Sequence, residues 1–168
     1  LRHPSSVSFT ADLQTDLARR DFTVNAMAWS EKTGLVDPFD GAADLTRGIL
    51  RAVGDPGKRF SEDALRILRA LRFSSVLGFS IEEKTAQAAI ECRSLLARIS
   101  SERVRDEFSA LLCGPGVERV LMDYAGIIAV IIPEITPSIG FSQNNYHHIY
   151  DVWEHTVHSI AAVEPELV

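Results

Sequence analysis

Arg59-Phe-Ser-Glu-Asp-Ala-Leu-Arg-Ile-Leu-Arg-Ala-Leu-Arg-Phe73 is the stretch on which the fold turns. Leu65, Ile67, Leu68 and Leu71 recur at helical spacing and form an apolar stripe. Ser61 is placed to cap the helix, because its hydroxyl can accept a first-turn N–H. Glu62 and Asp63 then fall in the first turn, where the positive end of the helix dipole favours anions. Asp63, Arg66, Arg69 and Arg72 recur every third residue and share one drifting face. A carboxylate with three guanidiniums on one face is either a solvated salt-bridge ladder or a binding surface.

Downstream of this stretch the pattern is helical. Gly78 reads as the C′ residue that ends the charged helix. Ser80-x-x-Glu83 has the spacing of a capping box for a helix running to about Leu96. Ser101 caps another, Glu102 to Cys113, stopped by Gly114-Pro-Gly116, and Val117 to Ala125 makes a third. Ile127 to Ile132 reads as a buried helical turn, with a strand as the alternative. A polar loop over 138–145 precedes a last helix, Ile149 to Val163, carrying Asp151, Glu154, His155 and His158.

Upstream the elements are short. Asp16 or Thr15 can cap one helical turn and Asp21 another. Met27–Trp29 and Leu35–Asp37 read as the strands of a hairpin with Gly34 in its loop. Asp37-Pro-Phe-Asp-Gly41 is turn chemistry. A short helix over Ala42–Arg47 and an extended piece over Leu50–Val53 follow. Leu1 to Thr10 has neither an initiator Met nor a start signal, and reads as the middle of a longer protein.

The 168 residues have apolar content enough for a core, and no apolar run long enough to span a membrane. No signal peptide opens the chain, and Cys92 and Cys113 match no metal or redox spacing. A cytoplasmic protein with buried thiols and no membrane partner is expected. The net charge of −6 excludes a generally basic nucleic-acid binder. The charge is uneven, though: residues 1–72 carry a net +1 and residues 73–168 a net −7. A polyanion would be met locally, around Arg19-Arg20 and Lys58 to Arg72, and not by the overall field.

A carboxylate only accepts hydrogen bonds and a guanidinium only donates them. Cytosine offers an amino donor to Asp63 and the N3 and O2 acceptors to Arg66, and adenine offers its amino group and N1. Uracil and guanine set acceptor against acceptor and donor against donor. An Asp/Arg pair three residues apart can therefore accept C and A while rejecting U and G. Each unpaired buried group costs about 1–3 kcal/mol. Arg69 and Arg72 could meet a triphosphate, which suits forked guanidiniums. The same spacing would also serve an ordinary exposed helix.

The order of three stretches resembles successive motifs of the bacterial (class II) tRNA nucleotidyltransferases and poly(A) polymerases. They are Arg19-Arg-Asp-Phe-Thr-Val-Asn-Ala-Met-Ala28, Asp37-Pro-Phe-Asp-Gly-Ala-Ala-Asp-Leu45 and Glu62-Asp-Ala-Leu-Arg66. Ser101-Glu-Arg-Val-Arg-Asp-Glu107 resembles a further motif, in the family's neck helices. The resemblance implies that Arg20 and Asp21 belong to the segment meeting the ribose, with Thr23 and Asn25 shaping its turn. It implies a hinge over Asp37–Leu45, and a protein template in Asp63 and Arg66 that reads C and A. Arg69 and Arg72 would be further nucleotide contacts, with Glu62 orienting Arg66 or Arg69. Glu102, Arg103 and Arg105 would brace the neck. The family's Asp-x-Asp motif, which binds two Mg²⁺, is not found in these residues and is expected upstream of Leu1, so the chain alone should not catalyse transfer. Tyr146 to His158 resembles the entry helix of an HD-type domain, with His155 at the first metal-ligand position.

The implied function is template-independent nucleotide addition to RNA, with CTP and ATP completing the CCA end of tRNA. A poly(A) polymerase using ATP alone is the close alternative. An HD-type metal phosphohydrolase and a non-catalytic RNA-binding helical module are the others. The expected fold is mainly α with a small β-hairpin, in three parts. Residues 1–53 are a remnant of an α/β nucleotidyltransferase head with its hinge, expected to pack less well than the rest. Residues 54–137 are a helical neck and body, and 138–168 the start of an HD-like helical domain.

Overall fold

The computed structural model describes residues 12–143 and 149–164. The Asp12 carboxylate accepts the Gln14 and Thr15 amides and so starts α1 (Leu13–Leu17). Asp21 accepts the Phe22 amide, and a 3₁₀ turn over Thr23–Asn25 follows. β1 (Ala28–Ser30) and β2 (Gly34–Val36) pair antiparallel, with Trp29 opposite Leu35. Gly34 takes the left-handed conformation that the tight turn requires, at φ 69°. The Asp37 carboxylate accepts the Gly41 and Ala42 amides at 2.8 Å each, which starts α2 (Gly41–Arg47).

β3 (Ile49–Leu50) then leads into α3 (Pro56–Glu62), and here the structure departs from expectation. Ser61 does not begin a helix. Asp55 caps α3 through the Lys58 amide at 2.6 Å, and Pro56 takes the first helical position, where its missing N–H costs nothing. The Ser61 hydroxyl donates back to the Gly57 carbonyl, inside the helix. The break comes at Asp63, whose backbone is extended (φ −152°, ψ 100°), and α4 (Leu65–Leu77) begins beyond it. Asp63 and Arg66 thus flank a helix junction and do not share a helical face.

α4 is central, with Ile67, Leu68, Ala70 and Leu71 at 0 % exposure. Gly78 ends it at φ 71°, as expected. β4 (Ser80–Ile81) follows and pairs parallel with β3. The Ser80 and Glu82 amides donate to the Gly48 and Leu50 carbonyls, so Ser80 is occupied in a strand and forms no capping box. Glu82 instead caps α5 (Glu83–Glu91) by accepting from the Thr85 amide and hydroxyl. α5 stops short of Leu96, and a 3₁₀ turn covers Arg93–Arg98.

α6 (Ser101–Leu112) packs along α4. α7 (Val117–Asp123) is locked to it through Ser75, whose hydroxyl donates to the Leu111 carbonyl and whose carbonyl accepts the Gly116 amide. α8 (Ala125–Ile131) resolves the apolar run as a helix, with Ile127 and Ile128 buried. α9 (Val152–Ala161) opens later than expected, on a capping box in which Asp151 and Glu154 exchange backbone hydrogen bonds. Trp153 and Val157 enter the same core as Leu68, Leu71 and Leu121.

Residues 12–53 share in a small core apart from the main one, while Trp29 and Leu35 of the hairpin stay exposed, as expected of a less well packed part. Phe22 and Leu50 are at 0 % exposure, and Leu17 is nearly so. Phe22 meets the Phe73 ring edge-on at 5.9 Å, bridges to Ala52, and shares a small core with Leu50 and Ala70. Cys92 and Cys113 are free thiols, and only partly buried. Among the described residues no helix is long and apolar enough to cross a membrane.

Candidate nucleotide cleft and the junction beside it

Side chains from two segments converge on an open cleft of about 520 Å³. Arg19, Arg20, Asp21 and Asn25 come from the end of α1 and the 3₁₀ turn, and Arg66, Arg69 and Phe73 from α4. The local chain explains the first group: α1 ends at Leu17, and the Thr23 and Val53 backbone bonds pin the loop between.

Asp21 organises the cleft. It is 8 % exposed. One carboxylate oxygen accepts the Phe22 amide at 2.9 Å and Asn25 Nδ2 at 3.2 Å. The other takes both Nε and Nη2 of Arg69, at 2.8 and 2.6 Å. Asn25 thus ties the turn to Asp21. Glu107 of α6 holds Arg69 from the far side at 3.6 Å and accepts Arg72 at 2.6 Å. The Arg72 guanidinium lies 4.2 Å from the Phe73 ring centroid. Arg72 lines no part of this cleft.

Arg66 is fixed by acceptors only. Its Nη1 donates to the Arg59 carbonyl and to Glu62, both at 3.1 Å, and its Nη2 to the Arg19 carbonyl at 3.2 Å. Glu62 also accepts Arg59 at 3.0 Å, so one carboxylate oxygen bridges Arg59 and Arg66. Arg20 makes an exposed pair with Asp16 at 3.3 Å, a kind of bond that contributes little and exchanges readily.

Asp63 opens onto a second cleft, lined by α6. One of its oxygens accepts the Leu65 amide at 3.3 Å and caps α4; the other accepts Arg103 at 3.3 Å. Of the three residues expected to brace the neck, Arg103 does so. Arg105 pairs with its neighbour Asp106 in solvent.

Asp44 is a second hub, only 1 % exposed, below the turn that carries Thr23. It accepts the Thr23 hydroxyl at 2.8 Å, Arg51 at 3.0 Å and Arg47 at 3.1 Å. Burial pushes its carboxyl pKa up, but the Arg51 hydrogen bond, Thr23 and both guanidinium charges outweigh this and hold it below the ordinary value.

His155 sits exposed on α9, and no group of three or more metal-ligating side chains forms among the described residues. His158 instead meets Glu118 at 3.3 Å and stacks near Tyr150. His147 and His148 lie outside the described residues.

Guanidiniums, a buried carboxylate and an aromatic ring line this solvent-open cleft. Two family models match the chain: "Poly A polymerase head domain" over residues 1–51 and "Probable RNA and SrmB- binding site of polymerase A" over 78–139. A CCA-adding enzyme of Lactobacillus delbrueckii subsp. bulgaricus is 48% identical over 151 residues, covering 90% of this chain and 37% of its own length. That of Leuconostoc mesenteroides is 52% identical over 113 residues, covering 67% of this chain and 28% of its own. The Bacillus stearothermophilus CCA-adding enzyme in complex with CTP superposes with a TM-score of 0.74 at 38% identity, over 94% of this chain and 36% of that one. The Thermotoga maritima CCA-adding enzyme complexed with tRNA_CCA superposes at 0.64 and 33% identity, over 74% and 31%. The chain belongs to the family of bacterial tRNA nucleotidyltransferases and poly(A) polymerases. It spans about a third of the length of the curated relatives it matches.

Proposed function

We propose that these residues are the nucleotide-selecting part of a template-independent RNA nucleotidyltransferase that completes the CCA end of tRNA from CTP and ATP. The observation that carries this reading is the cleft that Arg19, Arg20, Arg66, Arg69 and Phe73 line together. Arg20, exposed and weakly paired, and Arg66 are the contacts for the nucleotide, with Arg20 in the segment that meets the ribose. Arg69 adds positive charge at the cleft wall, with Asp21 and Glu107 fixing its direction. Asp63 lines the neighbouring opening and Arg66 the cleft, so a base edge reaching across the α3–α4 junction takes its acceptor from the one and its donor from the other. A carboxylate has about four acceptor positions, so the Leu65 amide and Arg103 do not use up Asp63. Residues 1–53 serve as the head side of the cleft, 54–137 as neck and body, and 138–168 as the start of a further helical unit.

Mg²⁺ is the cofactor this reading implies. The described residues do not fit it: Asp21, Asp44 and Asp63 are each committed to guanidiniums, and no cluster of ligands forms. Its carboxylates belong elsewhere. A cytoplasmic location accords with the reading.

Titration of CTP, ATP, UTP and GTP against the 168-residue chain tests the selection. CTP and ATP should bind more tightly than UTP and GTP. Asp63→Ala should weaken the first two about tenfold and leave the others unchanged, as loss of one buried hydrogen bond implies. Equal affinities for all four, untouched by Asp63→Ala, would remove the reading. In the full-length protein, a tRNA ending at the discriminator base should gain C and then A. Incorporation of A without C would replace it with poly(A) addition.

A further inference from the structure

Asp21, Phe22, Phe73 and Arg69 form a closed circuit of contacts at the nucleotide cleft. Asp21 and Phe22 are neighbours in the chain, and the Phe22 ring stands edge-on to the Phe73 ring at 5.9 Å. The Phe73 ring lies 5.4 Å from the Arg69 guanidinium, and Arg69 returns to Asp21 through Nε and Nη2. The turn after α1 is thereby joined to α4 beside the cleft. Phe73 differs from an ordinary core ring in two ways. It is only half-buried and lines the cleft, whereas its neighbours Phe22, Leu50 and Ala70 are fully buried. Guanidiniums also lie over it, Arg72 at 4.2 Å as well as Arg69. At such distances the negative face of the ring attracts a cation.

We propose that Phe73 is a positioning residue for the triphosphate of the bound nucleotide: its ring fixes the direction of the Arg69 guanidinium and the spacing between α4 and the Asp21 turn. The proposal rests on the reading that this cleft holds a nucleoside triphosphate. A guanidinium carries five N–H donors. Asp21 takes one from Nε and one from Nη2, and Glu107 stands 3.6 Å from Nη1, so donors remain for phosphate oxygens. Net charge does not aim them, because Asp21 and Glu107 balance Arg69 and Arg72. Both Asp21 bonds end on the same oxygen, Oδ2, which leaves the planar head of Arg69 free to pivot about that point. Contact with the Phe73 ring removes this freedom, and Phe22 in turn holds the ring. A donor held in advance loses less freedom when a phosphate arrives. Arg72 lies outside the cleft. It takes Glu107 at 2.6 Å and so leaves Arg69 to Asp21 and the ring.

The test is calorimetric titration of CTP, UTP and cytidine into the 168-residue chain and its variants. The ratio of CTP to cytidine affinity within one variant reads the triphosphate alone. Partial unfolding lowers both affinities together and leaves the ratio where it was. Phe73→Leu keeps an apolar side chain against Phe22 and Leu50 but has no π face. It should lower the ratio about fivefold, within the range of one cation–π contact, by weakening CTP and UTP alike and sparing cytidine. Phe73→Tyr keeps the ring face and should hold the ratio within about twofold of the parent. Arg69→Gln removes the charge but keeps an amide donor for Asp21. It should lower the ratio by itself, and adding Phe73→Leu should then lower it no further, since the two residues act as a unit. An unchanged ratio in Phe73→Leu, an equal fall in Phe73→Tyr, or a further fall in the Arg69→Gln background would each overturn the proposal. So would a parent that binds CTP no more tightly than cytidine. Asp63→Ala spares UTP and Phe73→Leu does not, so base selection and triphosphate positioning fail separately.

Discussion

Asp44→Ala should lower the stability of the chain by about 3 kcal/mol, since removing one member of a buried ionic network leaves the rest uncompensated. The carboxylate is 1 % exposed and joins the Thr23 hydroxyl, Arg47 and Arg51. Arg47 and Arg51 keep 57% and 40% of their side-chain surface in water, which holds the loss at the lower end of the range for such sites. Urea unfolding should show a lower midpoint at an unchanged slope. The pH dependence has a definite sign. The folded Asp44 carboxyl lies below its ordinary value of 3.8, so its contribution is complete above that pH. It is lost as the pH falls further, through the folded value. Asp44→Asn should therefore be less stable than the parent near neutrality, and the gap should narrow below about pH 4. A gap that stayed constant from pH 7 to pH 2 would show that the charge of Asp44 contributes nothing.

Gly114→Ala should be comparably damaging, for steric reasons. A Cβ at residue 114 would overlap the Ser75 hydroxyl and lie 2.6 Å from the Ser75 carbonyl carbon and 2.7 Å from the Val76 nitrogen. Two of these are backbone atoms of α4, so no rotamer change relieves the clash. α7 has to move away, taking the Gly116 amide from the Ser75 carbonyl. Overpacking of this kind costs about 3 kcal/mol, which for a chain of this size lowers Tm by roughly 10 °C. Gly126→Ala is the control: nothing lies within 4 Å of the added carbon, and its φ is not positive. In a helix that change should stabilise, by up to about 1 kcal/mol. Equal melting temperatures for the two variants would refute the steric account.

Local chemistry in the sequence reveals much of this structure. The Gly34 hairpin, the short helix after Gly41, the Gly78 stop and the helical run 127–131 all follow from periodicity and turn residues. The errors share one cause. Ser61 and Ser80 each look like caps, but a competing partner within reach decides their role. Asp55-Pro56 starts the helix earlier than Ser61 would, because a carboxylate cap with proline at the first position is the stronger signal. At Ser80 a parallel pairing with Gly48 and Leu50, some thirty residues away, takes the backbone, and no local pattern announces it. The site divides the same way. Arg20, Asp21, Arg66 and Arg69 are legible as a group through their motifs, and they do converge. That Asp63 faces a different opening, and that Glu107 holds Arg69 and Arg72, depends on α6 crossing α4. Spacing within α4 alone contains no information about that crossing.

The parallel pairing of β3 with β4 bears on how the chain is made. Leu50 finds its strand partner only once Ile81 exists, and Phe22 finds the Phe73 ring only once α4 exists. During synthesis, residues 12–53 leave the ribosome well before the elements that bury them. Phe22, Leu50 and Val53 stay exposed to water and to other nascent chains throughout that interval. A stop between Val53 and Ile81 would release a product with those apolar side chains uncovered, so such early truncations should be captured by chaperones or aggregate.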